Sequence, residues 1–148
     1  MIENSNKFLC IGMDQKEIVK KIDRSKFLGL NNNGNNTLST SRSDLFLFAM
    51  ALGLETVKSE IKQKDTLVRA QYITPRHEAL LYAAFINELD DKNNLDCILD
   101  IDAIIDNAQK YANTGFNLIA DMMEKSENVI VYELLNELDE KYEMIINE

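Results

Sequence analysis

Apolar side chains recur along this chain mainly at helical spacing. Ile101, Ile105, Ala108, Ala112, Gly115, Ile119 and Met122 fall at intervals of 4, 3, 4, 3, 4 and 3 residues, which is one stripe of a helix. The phase continues through Asn113-Thr114-Gly115, so the pattern predicts one helix from about Asp100 to Glu124. Glycine inside a helix costs about 0.5–1 kcal/mol relative to alanine. Gly115, with Ala108 and Ala112, is therefore expected to line a groove where a neighbouring helix approaches closely. A second stripe, Val131, Leu135, Leu138, Tyr142 and Ile145, predicts a C-terminal amphipathic helix after Ser126.

Three more helices are marked by their starts. Asp14-Gln15-Lys16-Glu17 has the form of an N-cap and its capping-box partner, ahead of Ile18, Val19 and Ile22. Ser41-Arg42-Ser43-Asp44 opens a helix through Leu45–Leu52 that is apolar all round and must be covered on every side. Gly53 is its expected C-cap. Thr74-Pro75 reads as N-cap and first helical residue of a segment running to Leu89, again apolar on most sides. Asp90–Asn94 reads as a turn. Residues 25–40, centred on Asn31–Asn36, read as a flexible Asn-rich surface loop. Residues 55–73 are ambiguous: Val57, Ser59 and Ile61, then Val68, Ala70 and Tyr72, alternate as in a minor hairpin near 57–72, and a helix over 56–63 fits equally well. The expected fold is all-α, one domain over residues 1–148, a compact bundle of five or six helices around segments 44–53 and 75–89.

Composition narrows the setting. A chain of 148 residues buries a core without staples, and its two cysteines, Cys10 and Cys97, read as free thiols in a reducing compartment. The longest apolar run, Leu45–Leu54, has ten residues where a bilayer needs about 20. Met1–Asn6 lacks the basic start and apolar stretch of a secretory signal. A cytoplasmic protein without membrane contact is expected. The net charge of -9 is unevenly spread: residues 1–72 hold 11 Lys and Arg against 8 Asp and Glu, and residues 73–148 hold 5 against 17. Such acidity repels nucleic acid at a distance.

Few residues offer chemistry. His77 is the single histidine, placed in the first turn of a helix, where a solvated side chain is expected. Asp102 and Asp106 lie one turn apart, but the oxygen spacing of a calcium loop is missing, and helix ends attract acids anyway. None of the five glycines forms a phosphate loop, and no serine sits in a nucleophile elbow. No catalytic residue, cofactor or metal site is predicted, and the chain is read as not an enzyme.

Two surfaces remain as binding candidates. Glu133, Glu137 and Glu140 form an acidic rim on the C-terminal helix, suited to steering a basic protein partner such as a DNA-associated subunit. Lys16, Lys20 and Arg24, four apart on one face, form the alternative, a nucleic-acid-binding stripe following a phosphate backbone. The plainer reading of that stripe is a solvated face offsetting the acidic half. Association with a second copy stays open.

Ser43–Gly53 and Ala108–Phe116 together resemble small accessory proteins encoded beside bacterial DNA phosphorothioation (dnd-type sulfur-modification) defence genes. In that family a D-L-x-x-F-A-x-x-L-G helix, here Asp44–Gly53, precedes a Y-A-N-x-G segment, here Tyr111–Gly115, so the match spans roughly residues 40–125. The motifs consist mostly of core-forming residues. The resemblance implies a bacterial or phage setting and a role in DNA defence as adaptor or regulator, and it brings no catalytic residues with it.

Overall fold

The computed structural model describes residues 7–24, 41–89, 95–125 and 138–140. Its elements run β1 (Phe8–Gly12), α1 (Met13–Arg24), α2 (Arg42–Gly53), β2 (Lys64–Arg69), α3 (Pro75–Asn87) and α4 (Ile101–Lys125), with 3-10 helices at Ala70–Tyr72 and Leu95–Leu99.

Helix α4 is the axis on which the rest is assembled. Its stripe buries Ile104, Ala108, Ala112, Phe116 and Ile119 completely. Among the described elements, α2 packs on that stripe more extensively than any other pair packs. The approach is backbone to backbone: a Cβ on Gly115 would lie 1.7 Å from the Ala49 carbonyl oxygen, and one on Gly53 would lie 2.0 Å from that of Tyr111. The groove expected beside Gly115 is therefore real, and α2 fills it. Gly53 differs from its expected role as a C-cap. The helix runs through it, Leu54 ends the helix in right-handed conformation, and the missing side chain serves the crossing with α4.

The all-α expectation needs correction. The fold is mostly helical, but it includes a two-stranded antiparallel sheet, β1 against β2, and is not a clean bundle of five or six helices. Residues 64–69 do form a strand, as a hairpin near 57–72 required, yet their partner is the N-terminal Phe8–Gly12 and not residues 57–61. Neither a strand nor a helix forms over 56–61. Strand β1 is too short to announce itself by periodicity. Its inward pair, Leu9 and Ile11, nevertheless sits fully in the core beside Val68 and Ala70. The pairing runs Leu9 with Val68 and Cys10 with Thr66, so Leu67 is an extra residue that bulges β2.

Other boundaries shift for local reasons. Strand β1 passes directly into α1 at Met13, which puts Asp14 inside the first turn rather than at the N-cap. Thr74 and Pro75 take their expected places. Helix α3 is less covered than its sequence suggests: Leu81 and Ala84 are buried, while Ala79, Leu80 and Ala83 face outward. The Asn-rich segment 25–40 lies outside the described residues. So does the C-terminal helix, apart from residues 138–140, which are helical. No helix among the described residues is long and apolar enough to cross a membrane.

Candidate functional site

The N-termini of α2 and α3 meet beside strand β2 and enclose an open cleft of about 840 Å³. Each helix start is capped by its own sequence. At α2, the Ser41 hydroxyl accepts the Asp44 backbone N–H at 3.1 Å and donates to the Asp44 carboxylate. At α3, Thr74 Oγ1 accepts the His77 N–H at 3.4 Å, and His77 Nδ1 accepts the Thr74 N–H at 3.2 Å. This is a capping box with histidine in the position glutamate usually holds.

His77 is thus not the solvated side chain expected from its place in the chain. Its side chain is only 14% exposed, and Nε2 lies 3.1 Å from Asp44 Oδ1. Because Nδ1 accepts a backbone N–H, the proton of the neutral ring sits on Nε2 and is donated to Asp44. The hydrogen bond from Ser41, followed by that from His77, holds the Asp44 carboxyl below the usual carboxylate range. Serine, histidine and aspartate therefore gather here, but not in the order nucleophilic catalysis needs. The serine hydroxyl bonds the carboxylate rather than the imidazole, and the imidazole has no lone pair left for a proton. The cluster ties α2 to α3.

The other walls carry charge and backbone. Arg42 makes two bonds to the Asp23 carboxylate, at 2.8 and 2.6 Å, linking the start of α2 to the end of α1. That pairing lowers the Asp23 carboxyl and raises the Arg42 guanidinium. Strand β2 contributes Thr66, Leu67, Val68 and Arg69, and the next turn adds Tyr72, a residue 61% exposed. Among the described residues Arg69 has no carboxylate partner.

A second polar cluster lies along α4. Residues 57–59 cross it, held by Asn113 Nδ2 donating to Ser59 Oγ at 2.8 Å and Thr114 Oγ1 donating to the Val57 carbonyl at 2.9 Å. Lys58 reaches over the Tyr111 ring, 5.4 Å from its centre, to Glu88 and to Asn107 Oδ1. Burial, then the hydrogen bond to Glu88, pushes the Tyr111 phenol up to about 12. These contacts fasten a segment without regular structure to the long helix.

The residues singled out from sequence are not brought together. Lys16 is paired with Asp65 at 2.6 Å and Lys20 with Glu17 at 2.5 Å, so neighbours of opposite charge already offset two of the three cations in the stripe. Arg24 ends α1, and its side chain is not among the described ones. Glu140 is exposed in the short helical piece, while Glu133 and Glu137 lie outside the described residues. Asp102 pairs with Lys7, and Asp106 with both Lys64 and Lys110 at 3.0 Å, so lysines already answer these two acids. Among the described residues no cluster of three or more metal-ligating side chains forms. Cys10 is half-buried, and burial raises its thiol. The cleft itself escaped sequence reading because strand β1, which places β2, was missed. The one available signal was Thr74-Pro75-Arg76-His77, where a histidine three residues after a threonine cap can close the box. Compared with protein-family models, curated proteins and solved structures, the chain gives no match.

Proposed function

We propose that this chain is a non-enzymatic accessory protein that works by contact with another protein, in the bacterial DNA modification and defence setting its two motif stretches resemble. The observation carrying this reading is the wiring of the cleft. Its histidine, serine and aspartate satisfy one another across two helix starts, so the cleft offers shape and charge rather than a poised nucleophile or base. The motif residues of the resemblance, Asp44–Gly53 and Tyr111–Gly115, build the α2–α4 contact, and Asp44 also lines the cleft, which suits a scaffold role. Location in the cytoplasm belongs to the same proposal, as does the acidic rim of Glu133, Glu137 and Glu140 as a contact surface.

Nucleic-acid binding through Lys16, Lys20 and Arg24 is the less supported alternative, since Asp65 and Glu17 already answer two of its charges. Co-purification of the tagged full chain from its native host separates the two. The proposal expects a stoichiometric protein partner that persists after nuclease treatment. Recovery of nucleic acid alone, lost on replacing the three cations with alanine, would reverse the order of the two readings.

A further inference from the structure

We infer that the cleft beside β2 receives an extended, carboxylate-bearing peptide segment of a partner protein, which adds as a third strand to the open edge of the sheet. The inference rests on the protein-contact reading above and names the kind of segment that contact would use. Strand β1 covers one edge of β2; the other borders the cleft. In an antiparallel ladder, backbone groups alternate between facing the partner strand and facing away. The Ala70 N–H bonds the Lys7 carbonyl at 3.1 Å, and the Met13 N–H bonds the Gln63 carbonyl at 3.0 Å. Counting inward along the register from those two bonds, Arg69 and Thr66 fall at positions whose main-chain groups face away from β1. The Thr66 N–H is taken by its neighbour Asp65 at 2.9 Å. The Arg69 N–H and the Thr66 carbonyl therefore point outward, one donor and one acceptor on the same edge. Strand β1 is protected differently: its Cys10 N–H donates to Gln109 Oε1 of α4 at 2.8 Å. Among the described residues the sheet thus leaves one edge uncovered, and that is the edge the cleft follows.

Chemistry selects the occupant. Only an extended backbone matches an open strand edge, because it alone presents donors and acceptors at strand spacing. Half-buried Leu67 and exposed Tyr72 give apolar contact for alternate side chains. Arg69 supplies a cation without a carboxylate partner among the described residues, whereas Asp44 is already engaged by Ser41 and His77. A peptide bearing Asp or Glu opposite Arg69 complements that wall, and a basic peptide does not.

The test uses the full chain and a displayed library of random decapeptides. Enrichment of sequences with a carboxylate among alternating β-branched or aromatic residues is expected. The best enriched peptide, titrated into 15N-labelled protein, should shift amide signals of Thr66–Arg69 and Ser41–Asp44 above those elsewhere. Arg69→Glu should weaken binding about tenfold or more, and Arg69→Lys much less, with an unchanged spectrum showing the fold intact. Replacing single peptide amides by esters should reduce affinity at every second position, the signature of strand pairing that side-chain docking would not give. No enrichment, a basic consensus, shifts centred away from β2, or indifference to ester position would each overturn the inference. A partner co-purifying normally with the Arg69→Glu chain would overturn it while leaving the protein-contact reading standing. Failure to recover any partner with the parent chain would remove the reading itself.

Discussion

A Cβ placed on Gly115 falls inside the van der Waals radius of the Ala49 carbonyl, and one on Gly53 meets the Tyr111 carbonyl. Backbone cannot retreat as a flexible side chain can. Gly115→Ala and Gly53→Ala should each destabilise by about 1–3 kcal/mol or more, despite a gain near 1 kcal/mol in helix propensity. A raised urea midpoint in either variant would mean the helices have room to part. His77 gives a second test at this scale. His77→Ala removes the capping-box acceptor and the link to Asp44, at a cost of about 0.5–2 kcal/mol. His77→Gln keeps an acceptor for the Thr74 N–H and should cost clearly less. Equal losses in thermal melts would show that the box contributes nothing.

Among the elements, α4 and the start of α3 were legible in the sequence because their signals are local. A 4–3 stripe and a Thr-Pro cap act over a few residues, and the chain obeys them. The pairing of the sheet was not legible, because β1 and β2 satisfy each other across a long stretch of chain, and the five residues of β1 leave too short a pattern to read. The candidate site was hidden for the same reason: its walls come from β2 and two helix starts that only the tertiary fold brings together. Strand β1 is core despite its position near the chain's start. Leu9→Ala should therefore cost about 2–5 kcal/mol, as for Leu81→Ala on α3, both residues being fully buried. A Leu9→Ala chain as stable as the parent would show that β1 contributes little to the core.

For the molecule as a whole, charge pairing joins elements and sets its response to acid. Asp23 holds α1 to α2 through Arg42, and Asp44 holds α2 to α3 through Ser41 and His77. Both carboxyls lie below their ordinary range when folded. Their contribution is complete above about pH 5, where the unfolded chain is also ionised, and is lost as pH falls through about 4 and then through the lower folded values. Stability in urea should fall between about pH 5 and pH 2. The penalty of Asp23→Asn, visible at pH 7, should shrink towards nothing at the acid end, and a penalty independent of pH would show that the ion pair is not its source. Both groups are partly exposed, so solvent screens the effect and it is modest beside the core.

The central claim is that the chain acts by protein contact, and the mass of the particle that carries it tests this most directly. A lone chain has a mass of 16.9 kDa. Light scattering on the material eluting with the tagged chain, from a nuclease-treated extract of its native host at physiological salt, should give a discrete larger particle. Its excess mass should match a second, different polypeptide in fixed ratio. Elution of the chain as a 16.9 kDa monomer, with no other polypeptide in stoichiometric amount, would contradict the account.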